Sequence, residues 1–219
     1  MRYFTLTGAA VAVMAAAAGA GLATGPAAHA ATPSCGSSCV NPYVQADGHK
    51  FLMDVYRQGQ ATDTPVILFS RSNADPALDW TYSDEGTVSK FLADDLVSEA
   101  IALQYSGDQA WEIEYTPFGA PTGQCAGVTS AASGAKVSLQ PCGVTAKTVW
   151  IGDAAAGQDG YEPAINGADT TFSHPLVLTY TGTPTALPRA QLFLAPLATY
   201  SSGTVYDSQE WAVANGVQP

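Results

Sequence analysis

Hydrophobic residues along this chain fall into short alternating or continuous runs separated by Gly, Pro, Asn, Asp and Ser, with no long stretch at helical spacing. Short runs bounded by turn-forming residues predict β-strands. They lie at 51–56, 65–69, 101–105, 111–115, 136–139, 148–151, 176–180, 191–194 and 210–214. The exception is 89–98, where Ser89 is placed to cap a turn or two carrying Phe91, Leu92 and Leu96 on one side. A short helix inserted in a β domain is expected there.

The runs also recur. Leu52-Met53-Asp54-Val55, Val66-Ile67-Leu68-Phe69 and Trp80 stand 14 and 14 residues apart, while Cys125-Ala126-Gly127-Val128, Val137-Ser138-Leu139 and Trp150 follow at 12 and 13. A looser third copy runs through Leu176-Val177-Leu178, Gln191-Leu192-Phe193-Leu194 and Gln209-Glu210-Trp211. Three strand-turn-strand units, each closing on Trp, predict an all-β barrel of three repeats, because one such unit cannot bury its own apolar face.

The first 30 residues change the picture of the compartment. After Arg2, the uncharged apolar run 9–25 and the small-x-small site Ala28-His29-Ala30 read as an export signal cleaved after Ala30. The run is short and Gly/Ala-rich for a membrane anchor. The expected organisation is a signal peptide at 1–30, a disulfide-tied N-terminal arm at 31–42 and one β domain at 43–219, secreted to the extracellular space. In an oxidising exterior the four cysteines are expected in disulfides. They group as Cys35 with Cys39 and Cys125 with Cys142, although four cysteines allow three connectivities. A zinc site lacks partners, since His49 and His174 are not at ligand spacing from either pair.

Charge excludes further classes. Removing Arg2 leaves 7 basic residues against 19 acidic ones. Such a surface repels nucleic acid and anionic membranes. Neither partner is expected; nor is a metal or cofactor, and a monomer is. Ten of the acids lie between Asp75 and Glu114, opposed only by Lys90.

The repeat pattern resembles the ricin-type β-trefoil lectins, whose unit opens on a Cys-x-Asp-Val-like strand, passes through Val-x-Leu to a second Cys and closes on Gln-x-Trp. Cys125-Ala126-Gly127-Val128 to Val137-Ser138-Leu139-Gln140-Pro141-Cys142 carries that unit with its disulfide. The first copy is similar through Asp54, Ile67-Leu68-Phe69 and Asn73-Ala74-Asp75-Pro76. The resemblance implies a sugar held by the opening-strand Asp, an aromatic face after Val-x-Leu, and an Asn or Gln near the closing motif. In the first copy these become Asp54, Phe69 and Asn73 or Asp79. The second copy has Gly127 in place of the Asp, and the third has no carboxylate in its opening strand, so only the first could keep such a pocket. Core packing competes for Phe69. Trp80, Trp111, Trp150 and Trp211 offer a stacking platform or core plugs, and recurrence at unit ends favours the core. Gln109-Ala110-Trp111 also mimics Gln-x-Trp but falls between the first two copies.

Glu112 and Glu114 share one face of a strand, a pattern open to calcium binding or to glycosidase acid–base work but first expected of an amphipathic strand with its polar side in water. No Gly-x-Ser-x-Gly, His-Glu-x-x-His or phosphate loop occurs. A secreted glycan- or polysaccharide-binding protein is therefore the leading expectation. The alternatives are a trefoil proteinase inhibitor, since plant Kunitz-type inhibitors are similar in size and acidity, with 183–189 as its nearest loop, and a carboxylate-dependent glycoside hydrolase.

Overall fold

The computed structural model describes residues 35–46, 48–70, 79–182 and 189–215. The signal segment 1–30, Asn73 and most of the 183–189 loop lie outside them. Among the described residues the strands are β1 (Val40–Ala46), β2 (His49–Val55), β3 (Val66–Ser70), β4 (Trp80–Thr87), β5 (Gln109–Tyr115), β6 (Gln124–Val128), β7 (Val137–Pro141), β8 (Trp150–Gly152), β9 (Ala164–Asn166), β10 (Leu176–Thr179), β11 (Phe193–Pro196) and β12 (Ala212–Asn215). All paired neighbours are antiparallel; the ladder runs β11-β10-β9-β8-β5-β4-β1-β2-β3, with β12 on β1 and the β6–β7 hairpin on β5. This regular ladder is not closed. Val40 to Pro42, expected in the arm, are part of β1.

Three hairpins, β2–β3, β6–β7 and β10–β11, share one alternation. Met53, Val55, Val66 and Leu68 enter the main core from the first, as do Ala126, Val128, Val137 and Leu139 from the second and Leu178, Leu192 and Leu194 from the third stretch. Their second strands meet: Leu139 N–H donates to the Thr64 carbonyl (2.9 Å), Val137 N–H to Leu192 (2.9 Å) and Leu68 N–H to Ala190 (2.8 Å). Each hairpin also receives an indole. Trp80 Nε1–H donates to the Met53 carbonyl (3.1 Å), Trp150 to Ala126 (2.9 Å) and Trp211 to Leu178 (2.9 Å). These three tryptophans are core residues whose one polar atom is satisfied, which is what burying an indole requires.

The expected single helix at 89–98 is instead two. Helix α1 spans Val88–Ala93, and α2 spans Glu99–Tyr105, where a strand was expected at 101–105. Ser98 explains the change: its hydroxyl accepts the Ile101 N–H at 3.3 Å and Glu99 occupies the first turn. Ile101, Ala102 and Tyr105 then share a helical face and pack with Val88, Phe91, Ile151, Ile165 and Val177 in a second core cluster. A five-residue apolar run fits either period, and the cap decides it.

Candidate functional site

The register of the first hairpin sets the first cavity. Asp54 pairs with Ile67 and Leu52 with Phe69, so Asp54, Ile67 and Phe69 share the face opposite Met53, Val55, Val66 and Leu68. A cavity of about 360 Å³ opens on that face, lined by Asp54, Phe69, Tyr56, Arg57, Gln58 and Arg189 among others. Asp54 is 3% exposed, and its Oδ1 accepts the Val55 N–H at 2.5 Å. Phe69 is half-buried at the cavity wall. Arg57 and Gln58 turn through the left-handed region (φ 55° and 56°), and the Arg57 guanidinium lies 5.1 Å from the Tyr56 ring centre.

Asp79 is not among the residues lining this cavity. Its carboxylate lies within 4.8 Å of the sulfurs of Cys35 and Cys39, which are bonded to each other. Cys125 is joined to Cys142. These are the local pairings, each with its Cα atoms 5.0 Å apart.

The positions matching Asp54 are closed in the other hairpins. A Cβ on Gly127 would come 2.7 Å from Thr148 Cγ2 and 3.0 Å from the Lys147 carbonyl. In the third hairpin Thr179 is buried, donating to the Val177 carbonyl (3.0 Å) and accepting from Gln209 Nε2 (3.2 Å). Gln209, two residues before Trp211, also donates to the Pro196 carbonyl (3.0 Å) and accepts from Ala198 N–H (2.8 Å). Gln140, at the aromatic's position in the second hairpin, is engaged by Asp63 (2.8 Å) and Ser138 (2.9 Å).

Glu112 departs from the solvated role expected of it. It is 1% exposed; both carboxylate oxygens accept the Gly143 N–H at 3.0 Å, and the Thr148 hydroxyl donates to it. Glu114 accepts the Gly123 N–H at 2.5 Å. The two acids fasten the turns on either side of the β6–β7 hairpin to β5, Glu112 through both oxygens and Glu114 through Oε1. A buried carboxylate requires this compensation.

A second cavity, of about 580 Å³, was not anticipated. Its walls include Tyr82 and Glu85 from β4, Gln109 and Trp111 from β5, and Gln158 and Glu162 from the segment before β9. Cross-strand pairing of Glu85 with Trp111 puts both on one face. Glu162 is held by mutual backbone bonds with Trp211 (2.8 and 3.0 Å). A Cβ on Gly152 would overlap the Glu162 carboxylate and come 2.8 Å from Trp111 Cη2, so this glycine makes room for both side chains. Burial, then the charges of Asp153 and Asp108, hold the Glu162 carboxyl above its ordinary range. Burial, then Glu85 and Glu162, push the Tyr82 hydroxyl up. Trp111 is only partly buried and, among the described residues, makes no indole bond of the kind made by the other three tryptophans. The Gln-x-Trp mimicry of 109–111 was the one visible sign of this place.

No family model matches the chain, and no curated protein matches it in sequence. Solved structures do match in fold. The designed threefold-symmetric protein ThreeFoil superposes with a TM-score of 0.52 at 16% identity, over 80% of this chain and 98% of its own. A mosquitocidal holotoxin gives 0.54 at 12% over 83% of this chain, and the exo-β-1,3-galactanase 1,3Gal43A from Clostridium thermocellum gives 0.51 at 13% over 81%. The chain spans 17% and 30% of those two larger proteins. The fold is thus mostly β and β-trefoil-like.

Proposed function

We propose that this chain is a secreted carbohydrate-binding protein, a β-trefoil-like barrel of three repeats whose sugar docks in the Asp54–Phe69 cavity. The observation that carries the reading is that a carboxylate and an aromatic, marked in sequence as a sugar-binding pair, line one open cavity while the matching places in the other hairpins are filled. Asp54 accepts hydrogen bonds from ring hydroxyls, Phe69 offers its face to the sugar's C–H side, and Arg57, Gln58 and Arg189 supply donors at the rim. The three indole–carbonyl bonds and the three meeting hairpins support the repeat. Residues 1–30 act as the signal peptide, 31–42 as the tied arm, whose last three residues start β1, and 43–219 as the rest of the trefoil domain; the disulfides suit an oxidising exterior.

A glycan array followed by calorimetry tests the site. The wild type binds a defined set of glycans, and Asp54→Asn, which keeps the side-chain volume, weakens binding by about tenfold or more, the worth of a charge-assisted hydrogen bond. Equal affinity in the two proteins, or an array with no wild-type binding, refutes the assignment. Mass spectrometry of exported protein should find a mature chain starting at Ala31.

A further inference from the structure

The second cavity is a site of different chemistry. We propose that it binds an amino sugar through its free, protonated amine. What the walls supply and what they lack define the ligand. Glu85 and Glu162 supply carboxylates, Tyr82 and Trp111 apolar faces, and Gln109 and Gln158 neutral hydrogen-bonding groups, while none of the described lining residues is basic. Glu162 is half-buried and has no hydrogen-bond donor among the described residues. A carboxylate partly withdrawn from water without a donor carries an uncompensated desolvation cost, which an incoming ammonium removes.

The other walls narrow the ligand class. Aromatic faces beside a cation site favour an ammonium carried on a C–H-rich skeleton over a bare metal ion. The amides of Gln109 and Gln158 suit hydroxyl groups, which an alkylamine lacks. At about 580 Å³ the space lies within the usual range for small-ligand cavities, roughly 300–1,000 Å³. The backbone is shaped to keep it open. Any side chain at Gly152 would displace Glu162 or Trp111, and a Cβ on Gly157 would overlap the Tyr161 carbonyl and come 3.0 Å from Glu162 Cα. Burial first, and then the negative charges of Glu85, Asp108 and Asp153, push the ionisations of Glu162 and Tyr82 up.

The four indole N–H groups give a direct readout. Chitobiose with both amines free is titrated into isotope-labelled protein, with N,N′-diacetylchitobiose as the neutral comparison. The expected result is movement of the Trp111 indole signal, assigned by its loss in Trp111→Phe, with the signals of Trp80 and Trp150, which do not line the cavity, unmoved. Glu162→Gln and, separately, Glu85→Gln should each weaken binding of the free amine by about tenfold. The Trp80 and Trp150 indole signals, in their wild-type positions, report that each variant is folded. Absence of binding by the wild type, equal binding of the acetylated disaccharide, or unchanged affinity in both folded variants would overturn the proposal.

Discussion

The two cavities differ in charge and in origin. The first is made largely by one hairpin and the turn between its two strands, has Arg57 and Arg189 in its lining, and buries a single carboxylate. The second draws its walls from β4, β5, the 157–162 segment and the start of β12, and is rich in acids with no described basic residue. In a chain with 8 basic and 19 acidic residues, two of the few arginines converge on one site while the acidic excess accumulates at the other. Local sequence can place a carboxylate opposite an aromatic across a hairpin, because register fixes which residues share a face. It cannot bring together segments separated by dozens of residues.

The largest effect is expected from moving the first cavity's carboxylate into the second hairpin. Gly127→Asp forces a side chain against Thr148 and the Lys147 carbonyl, near the buried Glu112, and should destabilise the protein by about 2–4 kcal/mol in urea unfolding. A variant that unfolds with the wild type would mean the second hairpin is not closed by packing. Next in size is Gly152→Ala, which pushes Glu162 and Trp111 apart. A loss of about 1–2 kcal/mol is expected, together with loss of free-amine binding but not of Asp54-dependent glycan binding. If both ligands are lost, the cavities are not separate sites.

The smallest effect is one of pH. A raised carboxyl holds more protons in the folded than in the unfolded state, so its contribution to stability falls as pH climbs above the ordinary value of 4.5. Thermal unfolding of the wild type and Glu162→Gln should therefore converge below that value, with the variant the more stable toward neutrality. The gap is modest because Glu162 is only half-buried. The opposite order would show that Glu162 is compensated by a group in the protein itself.

Much of the first cavity's lining was legible because it is local. Asp54, Phe69 and the missing Asp at Gly127 were all read from the repeat, and the hairpin register places the first two together. Asp79 lies beside the Cys35–Cys39 bridge and not in the cavity lining, because sequence proximity to Trp80 carries no information about which side of the strand start faces the cavity. Asn73 lies outside the described residues. Glu112 was misread for a different reason: alternation identifies a polar face but not whether another turn covers it, and the 143–148 turn does. The 101–105 run was misread because five apolar-rich residues fit two periods, and the Ser98 cap selected the helix.

By itself, the sequence determined the β class, the tryptophans that end the alternating units, the grouping of the cysteines into two local pairs, and the acid and aromatic of the first hairpin. These follow from period-two alternation and short loops, which act within a few tens of residues. Only the tertiary structure decided that Glu112 is buried, that Trp111 stands apart from the other tryptophans, and that Glu85 and Glu162 share a cavity. Those outcomes depend on which faces cover one another, and packing settles that between segments whose order in the chain does not reveal it.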